Sequence, residues 1–303
     1  MQVNTHKSIS ECRRHFLPSK WIVTALLIAV LLLPLRFARA DVGIEQQLKS
    51  DYVGKVLTLR HFYSGEHLKF HSDGTVQGDA PVGPWTLDGQ IAVEKVQLRG
   101  GILSIEGRRI HLGFDSQRKP QDQLMAIKNS QSKPLKDKDL EKILRRLKVE
   151  VEIGLPSDKP DPKEVSSAID AVFLTGSESM MDIVPSYWSA YFAKQEGKPA
   201  PESKDPVYRV NSRGGVSAPH PTYNPDPEYS EEARELKYEG TIVISAVVDV
   251  SGTTRDLQIQ RPVGLGLDEK AVAAVSTWKF APAQKDGQPV PVLINTEVTF
   301  HLF

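Results

Sequence analysis

Cysteine, net charge and long apolar runs are all scarce in this 303-residue sequence. The single cysteine, Cys12, lies near the N-terminus. A chain that loses that end has no disulfide and no thiol chemistry. Formal charge is zero overall, but it is unevenly placed. The first forty residues hold Lys7, Arg13, Arg14, Lys20, Arg36 and Arg39 against Glu11 alone; without those six bases and one acid, 32 basic face 37 acidic residues, a net of −5. Such a balance argues against a nucleic-acid partner, which needs a basic face. The one continuous apolar run, 21–35, has fifteen residues, short of the roughly 20 that cross a bilayer as a helix.

That run sits inside a recognisable leader. Residues 1–20 are polar and basic, 21–35 are apolar, and Ala38-Arg39-Ala40 precede Asp41. This is the three-part form of a secretory signal, with cleavage expected after Ala40; the alternative is an uncleaved signal anchor. Cys12 precedes the apolar core and so is not placed as a lipoprotein cysteine.

Catalytic and metal-binding patterns are weak. His61, His67 and His71 tempt a metal reading, yet residues four apart on a strand lie about 13 Å apart, too far to share an ion. Gly264-Leu265-Gly266 lacks the third glycine and the βαβ context of a dinucleotide site. Ser116 and Lys119 have Ser-x-x-Lys spacing but sit in a polar loop without supporting motifs. Tyr63 to His67 shows no nucleophile–base pairing. The expectation is no enzyme, no cofactor and no metal.

Residues 41–195 read as a β-rich domain with added helices. Strand patterns cover 55–62, 68–71, 91–98, 103–106 and 110–114, punctuated by Asp73-Gly74, Asp88-Gly89 and Gly100-Gly101, which suggests an antiparallel meander, either a small sandwich or a partly open barrel. Trp85 and Leu87 are expected to plug its core. Leu140, Ile143, Leu144 and Leu147 make a helical stripe, and Val149, Val151 and Ile153 a further strand. Pro162 suits the first position of a helix carrying Val165, Ala168, Ile169 and Val172. A further helix near Pro185 carries Trp188, Tyr191 and Phe192, read as core aromatics. Residues 196–227 hold seven prolines and read as an extended, semi-rigid linker.

The final domain, 228–303, has the order short helix, strand, turn, strand, helix, strand. Ser230 can cap the short helix. Ile242, Ile244, Ala246, Val248 and Val250 share one strand face, and Gly252 allows a tight hairpin. The return strand offers only Leu257 and Ile259. With Asp268 as its cap, a helix bears Leu267, Ala271, Val275 and Trp278. In the last strand Val292, Ile294, Val298, Phe300 and Leu302 alternate with Asn295, Glu297, Thr299 and His301. The fold class expected is α+β: a ββαβ domain with an antiparallel sheet and one packed helix, preceded by the β-rich domain.

Several separated signatures here match one family in order and spacing. They are Glu228-Tyr229-Ser230-Glu231-Glu232-Ala233-Arg234, Gly240, Val248-Asp249, Gly252, Leu267-Asp268, Trp278-Lys279-Phe280-Ala281-Pro282-Ala283 and Asp286-Gly287-Gln288-Pro289-Val290. The stretch resembles the C-terminal domain of TonB energy transducers, with Ser230 where many relatives carry proline. The resemblance implies a periplasmic interaction module that lends a sheet edge to an extended segment of a TonB-dependent outer-membrane receptor or another envelope protein. Transducers of this family keep an inner-membrane helix with a Ser and, four residues later, a His; the run 21–35 has neither. If the leader is retained, the resemblance adds an ExbB-ExbD-type motor as partner and an inner-membrane anchor. If it is removed, the protein is a soluble periplasmic adaptor or structural module; a further alternative makes the β-rich domain 41–195 an unrecognised ligand-binding or enzymatic unit. The partner-binding residues expected are Tyr229, Asn295, Glu297, Thr299 and His301, with the last strand as the free edge. The plainer alternative closes that edge with a neighbouring segment or a second copy, as a homodimer.

Overall fold

The computed structural model describes residues 43–129, 136–174, 178–201, 203, 205–210 and 214–302. The leader lies outside the described residues, as do Ala38, Ala40 and Asp41 of the expected cleavage site. Among the described residues no helix is long and apolar enough to cross a membrane.

The front half is built on one open six-stranded sheet. Its strands are β1 (Val56–Leu59), β2 (His67–His71), β3 (Gln90–Arg99), β4 (Ile102–Arg109), β5 (Lys148–Gly154) and β6 (Phe173–Leu174), in the spatial order β2-β5-β4-β3-β1-β6. All neighbours are antiparallel except β2 and β5. The parallel pair departs from an all-antiparallel meander because β5, returning after helix α1 (Asp137–Arg146), inserts between β2 and β4. Period-2 alternation sets the buried face: Leu68 and Phe70 of β2, Leu103 and Ile105 of β4, and Val149, Val151 and Ile153 of β5 are all buried. Helix α2 (Pro162–Val172) starts at a capping box, with Asp161 accepting from the Lys163 and Glu164 amides at 2.7 and 2.9 Å. Its stripe Val165, Ala168, Ile169 and Val172 is buried.

The back half contains α4 (Glu231–Glu235), β8 (Gly240–Val248), β9 (Thr254–Arg261), α5 (Leu267–Thr277) and β10 (Val292–Phe300), following α3 (Ser189–Gln195) and a short strand β7 (Tyr208–Arg209). The sheet order is β9-β8-β10-β7. Ile242, Ile244, Val248, Val292, Val298 and Phe300 form its inner face with Leu267, Ala271 and Val275 of α5. Val250 lies past the end of β8 and is exposed. The β8–β9 turn admits only glycine at 252: φ is +80° and a Cβ would stand 1.9 Å from the Phe280 carbonyl oxygen. Asp249 accepts from the Ser251 and Thr253 amides and hydroxyls. Slight burial raises its carboxyl, but those bonds outweigh it and hold the group at about 2.

Gln47–Phe303 forms one unit, and the reason is a shared interior. Trp85 and Leu87 do not both plug the front sheet. On the single helical turn Trp85–Asp88 they point about 200° apart, so Trp85 joins an aromatic cluster with Phe114, Trp188 and Phe192 while Leu87 enters the core of the back half. Ile259 of β9 is buried in that aromatic cluster in return. The Leu265 amide donates to Leu112 O at 2.8 Å, and the Gly266 amide to Thr86 Oγ1 at 3.0 Å. Gly264 has φ +96°, and a Cβ there would meet Leu112 O at 2.3 Å. The Ala190 amide donates to Gln258 Oε1 at 3.0 Å, bringing α3 against β9.

Asp268 is not the helix cap; Gly266 occupies that position. The Asp268 carboxylate instead accepts from the Val263 and Gly264 amides at 2.9 and 2.6 Å and fixes the turn that docks on Leu112. Next to it, Glu269 Oε1 accepts from Trp188 Nε1 at 3.0 Å, while Oε2 is enclosed without a hydrogen-bond partner. Burial, reinforced by the Asp268 charge, pushes Glu269 from 4.5 to about 8. A raised carboxyl means the folded chain favours the protonated form. Its stabilising contribution is complete below 4.5 and is lost as pH rises through about 8. Glu269→Gln should flatten the fall in urea midpoint between those values; parallel profiles for variant and parent would remove this group from the account.

Candidate functional site

β10 is bonded to β8 in unbroken antiparallel register from Val292↔Val248 to Phe300↔Gly240. In a strand, a residue's N–H and C=O point to one side, and successive residues alternate. Two contacts fix which residues face outward. Pro291 O accepts from the Tyr208 amide at 3.0 Å, on the side away from β8. The Leu302 amide donates to Glu239 Oε1 at 2.8 Å, on the β8 side. Odd-numbered residues therefore turn their backbone groups to the outer edge and even-numbered ones to β8.

The outer edge is closed only at its start, where Tyr208–Arg209 runs parallel to Val292 and Leu293. Beyond Leu293, among the described residues, no strand pairs with it. Asn295, Glu297 and Thr299 thus present three donors and three acceptors along an open margin, and their side chains are exposed. Thr299 Oγ1 lies 3.1 Å from Thr241 Oγ1, and Glu297 lies 4.0 Å from Arg261. His301 is exposed just past the strand end.

Tyr229 is elsewhere. Its hydroxyl donates to Tyr238 O at 2.8 Å and its ring meets Phe300 edge-on at 5.3 Å. Phe300 is on the inner face, so Tyr229 is on the opposite face from Asn295, Glu297 and Thr299. Burial raises its hydroxyl above the ordinary value.

The linker contributes residues that sequence reading passed over. It is extended, yet it lies along the back half. His220–Tyr223 pairs with Lys279–Ala281, Val216 is buried, and Pro225 O accepts from Trp278 Nε1 at 3.1 Å. Upstream, Ser203 donates to Asp256 at 2.9 Å and Asp205 sits 3.4 Å from Arg255. Arg255 and Leu293 are the two register partners of Val247. From β9 to the strap's place outside β10 is three strand spacings, about 14 Å; three residue steps reach about 10 Å, and the Arg255 and Asp205 side chains span the rest. Residues 205–208 accordingly cross the outer face of the sheet, the side to which Val247 turns its side chain. The stretch Val207-Tyr208-Arg209-Val210, β-prone amid prolines, is the signal that could have revealed it.

This strap is held lightly. The short parallel ladder at Tyr208–Arg209 contributes about 1 kcal/mol per backbone bond, an exposed ion pair under about 1, and Lys285, 4.8 Å over the Tyr208 ring, about 0.5–1. Burying single side chains such as Leu87 or Ile259 contributes about 1.5–3 kcal/mol each. Of the contacts around this sheet, the strap yields first.

In the front half, an open groove of about 460 Å³ is lined by Glu94, Arg108, Met125, Glu141, Leu144 and Lys148 among others. Arg108 is already paired with Asp122 at 2.8 Å. Among the described residues no group of three or more His, Cys, Asp or Glu could hold a metal ion.

The family model for the Gram-negative bacterial TonB protein C-terminal domain matches residues 225–302. Residues 225–302 are a TonB C-terminal domain. Protein tonB2 of Pseudomonas aeruginosa is 33% identical over 81 residues, covering 26% of this chain and 30% of that protein. Protein TonB of Vibrio cholerae is 34% identical over 77 residues, covering 25% and 32%. The chain thus spans about a third of the length of these curated relatives. The solution structure of the P. aeruginosa TonB C-terminal domain aligns at 19% identity over 29% of this chain and 87% of that one, with a TM-score of 0.24. The open margin described above belongs to the last strand of this TonB domain.

The assignment of outward and inward backbone groups has a direct check. Glu297→Pro removes an outward N–H and should cost about 1 kcal/mol. Val298→Pro removes a bond to β8, leaves the facing carbonyl of β8 unsatisfied and should cost a further ~1–3 kcal/mol. Urea unfolding of the two variants tests this; equal losses would mean the parity is wrong.

Proposed function

We propose that the protein serves TonB-dependent transport across the envelope, with its C-terminal domain taking an extended segment of an outer-membrane receptor as an added strand on β10. The observation that carries this reading is the open margin at Asn295, Glu297 and Thr299 in a TonB C-terminal domain. Backbone bonds supply most of the affinity in such strand addition, and nearby side chains supply the choice of partner. Asn295, Glu297 and Thr299 contribute both, and His301 extends the approach. Tyr229 supports the strand from beneath. On this reading the segment 1–40 delivers residues 41–303 to the periplasm. If it stays in the inner membrane, an ExbB-ExbD-type motor is the energy source.

A second reading, a free periplasmic adaptor uncoupled from the proton-motive force, is favoured by the absence of His and Ser from residues 21–35, since a proton-coupled motor contact needs an intramembrane ionisable residue. Intact mass of the protein from cells decides between them: a chain starting at Asp41 supports the adaptor, and an unshortened chain in the inner membrane the transducer.

Calorimetry with synthetic peptides from the N-terminal segments of TonB-dependent receptors of the same cell tests strand addition. Peptide binding should weaken about tenfold or more in Glu297→Pro, the loss of roughly one well-made bond, and clearly less in Glu297→Ala. Equal weakening in both would assign recognition to the side chain and contradict the proposal.

A further inference from the structure

Resting on that reading, we propose that residues 205–209 are a built-in occupant of the docking edge, competing with the partner strand for its first rung. The geometry is specific. Tyr208 places its amide 3.0 Å from Pro291 O, and Tyr208–Arg209 continues parallel beside Val292 and Leu293. Pro291 O and the Leu293 backbone groups are the outward ones that precede Asn295, Glu297 and Thr299 in the same row. A partner segment confined to that row reaches only three rungs while the strap is in place. A segment that pairs along the whole of β10 must displace it.

The strap is built to be displaceable. Tyr208 is 39% exposed, Arg209 and Val210 are exposed, and its pairing is two residues long. Its hold on the sheet depends on Arg255, which contacts Ser203 at 3.2 Å and Asp205 at 3.4 Å. Arg255 sits on β9, two strands away from the edge it controls. Anchor and occupied edge are therefore separate, and a pull on the linker from either side of residue 205 releases the rung without disturbing the β8–β10 register. An occupant of this kind lowers the apparent affinity for the partner by the fraction of molecules in which the edge is closed.

Tyr208→Pro is the discriminating variant. Proline keeps the strap extended and removes the one N–H it donates to Pro291. Arg255→Ala releases the anchor by an independent route. The experiment compares both with the parent full chain in two measurements: amide hydrogen exchange across 290–300 without partner, and affinity for the receptor peptides. Faster exchange confined to the Leu293 amide, the outward N–H beside the strap, with peptide affinity raised about tenfold, is the expected result. Unchanged exchange in both variants overturns the proposal whether or not peptides bind, because the strap would not occupy the edge in solution. Faster exchange with unaltered, measurable affinity also overturns it, because the strap would not compete. Faster exchange with no peptide bound by any form contradicts strand addition itself and takes the competition with it.

Discussion

A β-strand divides its backbone hydrogen-bonding groups equally between its two sides, and the back half of this protein turns on how β10 spends the two shares. One share is consumed by β8 along nine register pairs. The other, among the described residues, is spent only at Pro291 and Leu293, on the linker. The inner face beneath is fixed by Val292, Val298 and Phe300 packed with α5. A one-residue slip would turn those three outward, so the same burial that holds the strand also fixes which backbone groups meet the solvent.

The other end of the sheet explains why β10 is the available margin. β9 is backed by α3, whose Ala190 amide reaches Gln258, and Ile259 is sunk into the aromatic cluster around Trp188. The turn at Gly264 and Leu265 bonds into the front half at Leu112. The front half is therefore more than cargo on a spacer: it covers one flank of the TonB domain and leaves the opposite flank to the light strap from the linker. Buried contacts on one side and a few exposed ones on the other make the sheet asymmetric in how readily its edges open.

Much of the back half was legible in the sequence because it rests on local pattern. The alternation from Val292 to Phe300, the Ser230 cap and the Gly252 turn each follow from short-range rules, and Asn295, Glu297 and Thr299 were singled out by the same alternation. Long-range contacts were not legible. Leu87 reads as a front-half core residue until one helical turn sends it the other way, and Gly264 reads as an ordinary turn until Leu112 O is found 2.3 Å from its missing Cβ. Asp268 reads as a cap because its spacing suits one, but its carboxylate is used by the amides of Val263 and Gly264 instead. The strap escaped because seven prolines suggest a spacer, and composition carries no information about what an extended segment lies against.

The account stands on the outward backbone groups of β10 being the ones a partner strand takes up. Residue-resolved amide exchange by NMR, with and without a bound receptor peptide, tests this most directly. The account predicts new protection at Asn295, Glu297 and Thr299, with the amides of Ile294, Thr296 and Val298 already protected by β8 in the free protein. Protection gained at all six alike, or only at residues outside β10, would contradict it.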